Sequence, residues 1–176
     1  MRNNFLLINE TDIKGFSVVG NNLDSKYIAP SIIAVQDVYL EPMIGSRLIQ
    51  KLGELIENGD IELPDFAIYK ELLDTYIQPY LLNKTISEIQ IQIFSKIRNA
   101  GVVQYTDTNQ TTLQIQDLNY MRKHYDDIAL VYSDRMTDFL KKNRNAIPEY
   151  QPCACSNGGD VNAGGDEANN FCSIHF

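Results

Sequence analysis

The stretch DLNYMRKHYDDIALVYSDRMTDFLKKNR fills residues 117–144, and its apolar positions settle the fold class. Leu118, Met121, Tyr125, Ile128, Tyr132, Met136 and Phe139 recur three and four apart, the spacing of one face of a helix. This predicts the longest helix of the chain, capped by Asp117, with those side chains in the core and an exposed Asp138–Lys142 pair one turn apart. Just upstream, Val102 to Thr106 and Thr111 to Gln116 are β-branched and alternating around Asp107-Thr108-Asn109-Gln110, which predicts a β-hairpin at about 102–116. An isolated hairpin is marginal in water. Its apolar positions Val103, Tyr105, Leu113 and Ile115 are therefore expected to meet another chain or the helices.

Further back, Tyr80 to Arg98 carries Ile86, Ile89, Ile93 and Ile97 at helical spacing and stops at Asn99-Ala100-Gly101. Ile89, Ile91 and Ile93 also alternate as in a strand, but the run is about three times a typical strand length. Asp65 is expected to cap a third helix that points Phe66, Tyr69, Leu73, Tyr76 and Ile77 inward, with Pro79 kinking or interrupting it. Met43 to Asn58 reads as a second helix with Ile44, Leu48, Leu52, Leu55 and Ile56 on one face and Gly59 terminating it. Gly45 and Gly53 fall in line on that helix, so either a backbone approaches there or they only weaken it. Asp24 to Leu40 reads as the first helix (Ile28, Ile32, Val35, Tyr39), with Pro30 in its first turn and Pro42 breaking the run. Before it, the apolar runs Phe5 to Ile8 and Phe16 to Val19 suggest an extended arm or weak hairpin.

The expected organisation is therefore an arm (1–23), a helical domain (24–150) and a tail (151–176). The fold class is mainly α, a helical bundle of four to five helices with one β-hairpin. The 176 residues are 44% hydrophobic and 22% charged, with a mean hydropathy of -0.25. This is the profile of one soluble domain with a core. No apolar run approaches the ~20 residues of a membrane span, and Phe5 to Ile8 is too short for a signal-peptide core. The Asn-X-Thr triplets at Asn9, Asn83 and Asn109 are accordingly read as chance matches.

The net charge is -8, and the resulting field opposes general nucleic-acid binding. Residues 1–144 contain all 15 basic and 19 acidic residues, a balance of -4, whereas residues 145–176 contain no base and four acids. The tail, rich in Gly, Asn and Asp, has too little apolar surface to offset its ordering entropy. A neighbouring chain is its expected support, through Phe171, Ile174 and Phe176. The odd set Cys153, Cys155 and Cys172 is not a disulfide framework and points to a reducing compartment.

With His175, these thiols form a Cys₃His set that could bind zinc. Cys-X-Cys spacing is tighter than most zinc modules use, and unligated thiols against a partner are the favoured reading. His124 with Asp127 lacks a marked nucleophile, and Asp126–Asp127 and Glu54 with Glu57 read as solvated faces. Gly158-Gly159 and Gly164-Gly165 lack the Lys-Ser/Thr of a phosphate loop. Catalysis has no positive support, and no cofactor is expected.

One resemblance runs through these residues in order: Tyr27-Ile28-Ala29-Pro30, Gln36-Asp37-Val38-Tyr39-Leu40-Glu41-Pro42-Met43-Ile44-Gly45, Leu72 to Pro79, Lys96-Ile97-Arg98-Asn99-Ala100-Gly101-Val102 and Phe139-Leu140-Lys141-Lys142-Asn143. Over about residues 24–150 the chain resembles the head-tail connector proteins of tailed bacteriophages, the head-completion adaptors or ring proteins, in the form found in crAss-like phages of Bacteroidales. The resemblance implies a non-enzymatic virion subunit, made in the host cytoplasm and placed at the head–tail junction. It implies a homo-oligomeric ring, commonly of twelve copies, between the portal protein and a downstream tail or ring protein. DNA would pass through the ring without specific binding. The competing expectation is a cytoplasmic zinc-binding adaptor using Cys153, Cys155, Cys172 and His175.

Overall fold

One helix, α6 (Gln78–Phe94), lies between two others, α2 (Ser25–Val35) and α7 (Ile115–Lys142), and supplies the centre of the core. The computed structural model describes residues 5–16, 25–98, 101–104 and 115–150, and the protein is mainly helical. Preceding α6 are α1 (Glu10–Phe16), α3 (Glu41–Ile44), α4 (Ser46–Asn58) and α5 (Ala67–Leu72). Leu81, Ile86 and Ile89 of α6 are buried, and so are its polar residues Asn83, Thr85 and Ser87. Lys84 and Glu88, four apart on one stripe, are only half-buried. A helix enclosed on nearly every side loses the apolar/polar contrast of a surface helix, which is why its sequence mixes isoleucines with small polar residues. Asn83 Nδ2 donates to the Pro79 carbonyl at 2.7 Å, so its amide is satisfied within the helix.

Two prolines expected to break helices are accommodated by π turns. Gln36–Leu40 continues α2 as a π turn in which the Glu41 N–H donates to the Gln36 carbonyl, and Pro42 follows within α3. Leu73–Ile77 links α5 to α6 in the same way, with the Gln78 N–H donating to the Leu73 carbonyl and Pro79 following. A helical proline lacks its own N–H and crowds the carbonyl four residues earlier. Widening the preceding turn by one residue relieves both, so neither Pro42 nor Pro79 ends its helix.

The break between the first two helices falls at Gly45, whose φ of +86° is strained for any residue with a Cβ. Gly45 thus precedes α4 and does not share its surface with Gly53. Pro30 is the sixth residue of the described α2 rather than part of a first turn. Asp65 sits in a 3₁₀ turn (Pro64–Phe66) and does not cap α5, whose N-cap is Phe66. Gly59 does end α4, in the left-handed region at φ +75°, with its N–H donating to the Ile56 carbonyl at 3.2 Å.

Residues 5–16 of the expected arm are neither extended nor a hairpin. Asn9 and Asp12 cap α1 reciprocally: Asn9 N–H donates to Asp12 Oδ2 at 2.8 Å, and Asp12 N–H donates to Asn9 Oδ1 at 3.0 Å. Leu7, Ile8 and Ile13 enter the core. Gln36, buried in the first π turn, holds the entering backbone with both ends of its amide, donating to the Phe5 carbonyl at 2.5 Å and accepting from the Leu7 N–H at 3.1 Å. The Phe5 ring covers Gly53 so closely that a Cβ there would lie 2.3 Å from it. Here the close approach to Gly53 is by a side chain.

The expected helix through Arg98 and ribbon at 102–116 are corrected together. α6 ends at Phe94. Strand β1 (Ser95–Arg98) pairs antiparallel with β2 (Gly101–Gln104), with Ile97 opposite Val102 and Lys96 opposite Val103. The β-branched residues Ile97, Val102 and Val103 favour extended backbone. Residues 115–116, expected in a strand, begin α7, and Asp117 lies in its first turn, where a negative charge suits the helix dipole. Residues 105–114 lie outside the described residues.

Ala67–Phe94 and α7 are two 28-residue rods packed antiparallel. At ~1.5 Å per residue each is about 42 Å long. The ribbon therefore emerges at one pole, and the chain leaves Tyr150 at the other. There Ile147 and Tyr150 are buried, and Tyr69 OH of α5 donates to Glu149 Oε2 at 2.7 Å. Burial, and then the Glu149 carboxylate, push the Tyr69 phenol well above its usual range, so it stays a donor.

Candidate interaction surface

Among the described residues, helix α7 packs chiefly against α6 and the second π turn. Among its described side chains, Ala129, Met136 and Leu140 are buried. Of the stripe expected in the core only Met136 is fully buried; Leu118, Tyr125, Ile128, Tyr132 and Phe139 are half-buried, and Met121 is exposed. The buried strip runs through Ala129, Met136 and Leu140 and is thus rotated from the expected stripe. Phe139 still meets Tyr76, ring centroids 4.9 Å apart. On the outer side Tyr120, Leu130 and Val131 are 79%, 59% and 46% exposed. Asp138 and Lys142 are exposed there too, as expected.

A polar seam runs where the first π turn, α6 and α7 meet. Lys84 Nζ lies 2.8 Å from Asp126 Oδ1, 3.8 Å from Glu88 Oε1 and 4.3 Å from the centroid of the Tyr39 ring. Tyr39 OH donates to Glu88 Oε1 at 3.1 Å, and Arg122 Nη2 stands 4.0 Å from the same oxygen. Burial, followed by the Glu88 charge, raises the Tyr39 pKa; burial also raises that of Tyr80 beneath it, helped by Tyr39 and Asp126. Both phenols stay neutral in ordinary buffers, and each charge has an opposite neighbour. The seam is thus built to hold three elements in register, and its chemistry is that of a lock.

The other candidate residues are dispersed. His124 and Asp127 are both exposed, with the His124 ring edge-on to Tyr125 at 5.4 Å. Asp126 belongs to the seam and not to a pair with Asp127. Glu54 accepts from Gln50 Nε2 at 2.9 Å, and Glu57 is exposed. Val103 lies in β2 and Ile115 is the first residue of α7; the surroundings of their side chains lie outside the described residues, as do Tyr105, Leu113, Phe171, Ile174 and Phe176. Cys153, Cys155, Cys172 and His175 also fall outside them. Among the described residues no group of three or more His, Cys, Asp or Glu is placed to hold a metal, and no helix is long and apolar enough to cross a membrane.

Sequence reasoning missed the Gln36 clasp, the Tyr69–Glu149 bond and the Lys84-centred seam. Only the last left a trace, the Lys84–Glu88 spacing of four on an otherwise enclosed helix.

A family model matches residues 40–159, beginning at the end of the first π turn and taking in both rods and the ribbon. Its description is a family of unknown function, DUF6712. The chain belongs to that family. No curated protein and no solved structure matches the chain. The DUF6712 match leaves out α1 and α2, so the strap formed by residues 5–16 packs on the family's core from outside the matched span.

Proposed function

We propose that this DUF6712 chain is a structural subunit of a phage head-tail connector. It assembles as a ring, of about twelve copies in the resembling family, between portal and downstream tail or ring protein. The observation that carries the reading is α7. A 28-residue helix that, among the described residues, leaves Tyr120, Leu130 and Val131 exposed has the form of a subunit face awaiting a neighbour. The ordered resemblance over residues 24–150 gives that neighbour its class. Supporting it, the clustered ionisable groups on α6 and α7 are mutually neutralised, an arrangement suited to rigidity. A net charge of -8 disfavours tight contact with the duplex, which suits a conduit through which DNA must slide.

In this proposal the ribbon, with Val103 and Tyr105 and the neighbouring Leu113 and Ile115, meets an adjacent chain by edge pairing or packing. The tail contacts a partner through Phe171, Ile174 and Phe176. The test is the mass of the purified full chain, alone and with its portal, by native mass spectrometry and electron microscopy of isolated virions. Closed rings, and density for this chain below the portal, are expected. A chain that is monomeric in both settings and missing from virions would end the proposal. Zinc bound at nearly one per chain would favour the adaptor built on Cys153, Cys155, Cys172 and His175.

A further inference from the structure

The charges at the pole where the chain leaves α7 are segregated. Between Arg135 and Asn145 there are four bases and one acid; between Glu54 and Asp74 there are seven acids and one base, Lys70. Lys70 is already paired with Glu62. Lys141, Lys142 and Arg144 are exposed at the end of α7, and Glu57, Asp65 and Glu71 are exposed on a ledge formed by the end of α4, the 3₁₀ turns Asp60–Glu62 and Pro64–Phe66, and α5. None of these six side chains has an ion-pair partner among the described residues. Each surface also has apolar anchors, Leu63 at 48% exposure on the ledge and Leu130 and Val131 on α7.

We infer that the open face and basic end of α7 in one copy dock on the acidic ledge of a second copy. The inference rests on the connector reading and adds to it which surfaces join subunit to subunit. Isolated surface ion pairs contribute little, but several opposite charges framing apolar anchors steer the encounter and fix its register. Opposite charge selects a second copy because this chain carries both halves. The halves differ, so the contact is heterologous and each copy can both give and receive it. The Tyr69–Glu149 bond places the two halves at the same pole. Neighbours can then keep a common axial sense, as a closed ring requires.

The test uses the full chain and two triple variants, Glu57→Lys/Asp65→Lys/Glu71→Lys and Lys141→Glu/Lys142→Glu/Arg144→Glu. All six positions are exposed, and circular dichroism checks that folding is kept. Assembly is followed by native mass spectrometry and sedimentation at about 0.05 M and 0.5 M salt, because screening shortens the reach of these charges from roughly 14 Å to 4 Å. Each variant is expected to need at least tenfold higher concentration to assemble. An equimolar mixture, in which each reversed surface meets its complement, should return to the wild-type midpoint. Two variants assembling like wild type would overturn this contact and leave the connector reading standing. Loss confined to the α7 variant would also overturn it and would point to the chain's own acidic tail as the cover of that end. A wild-type chain that is monomeric throughout, and with its portal, would remove the connector reading and this contact together.

Discussion

The two flanks of α6 are finished in opposite ways. On the α2 side the chain closes its own surface: residues 5–16 fold back, Leu7, Ile8 and Ile13 enter the core, and the Gln36 amide grips the backbone at Phe5 and Leu7. On the α7 side nothing among the described residues lies over Tyr120, Leu130 and Val131. A short segment thus buries three of its apolar side chains and leaves Leu6 and Phe16 exposed, while along the 28 residues of α7 only Ala129, Met136 and Leu140 are fully buried among the described residues. What separates them is polar satisfaction. The strap arrives with its backbone groups paired by Gln36 and its helix capped by Asn9 and Asp12, so burying it leaves little unmet. The outside of α7 alternates Tyr120, Leu130 and Val131 with Lys123, Asp127, Asp134 and Arg135, which only a complementary charged surface can cover.

The sharpest way to break this contrast is to empty the sealed flank. Ile13→Ala removes a fully buried side chain and should cost about 2–4 kcal/mol, read as a lowered urea midpoint at unchanged slope. A loss under half a kcal/mol would mean that the strap is not part of the cooperative core. Next, Gln36→Ala leaves the Phe5 carbonyl and Leu7 N–H without their partner and should cost about 2–3 kcal/mol. Proteolysis of the first sixteen residues, faster in this variant than in wild type, would locate the damage.

At the C-terminal pole, Tyr69→Phe deletes a hydrogen bond to a carboxylate, with an expected loss of about 1–2 kcal/mol. Its pH signature has a definite sign. The Tyr69 pKa is raised on folding, so its contribution is complete below the unfolded value of 10.0 and fades only as pH climbs through the higher folded value. Wild type should lose stability more steeply than Tyr69→Phe above pH ~10, and parallel pH curves would sink the assignment. Smallest in stability is Leu130→Ser, expected within about 0.5 kcal/mol because the side chain is already exposed. Its effect should appear instead as weaker self-association by sedimentation.

Legibility in the sequence followed the same physical line. Helices α4 and α6 could be placed because their apolar residues repeat over several turns, and Gly59 marked an end that only a residue without a Cβ favours. The strap escaped notice because Leu7, Ile8 and Ile13 are too few to show a period, and what holds them is a glutamine 29 positions further along. For α7 the apolar stripe was visible but its rotation was not, since the buried Ala129 contributes little to an apolar pattern. The ribbon was placed too late because Ser95–Arg98 continues an isoleucine pattern that suits helix and strand alike. Of the candidate surface, the charge change after Arg144 was readable, but the pole that brings Lys141, Lys142 and Arg144 level with Glu57 and Asp65 depends on an antiparallel pairing that spacing alone does not encode.

The paired π turns behave as insertion scars. Each holds one more residue than the ordinary coil needs, and each stands just ahead of a proline. Excising one residue from Gln36–Leu40 or Leu73–Ile77 would restore regular winding, return the proline ring to its collision, and swing every earlier side chain of that rod by about 100°. The reading frame of the core is thus set twice by a surplus residue, and Gln36, the latch of the amino-terminal strap, occupies the first of those two places.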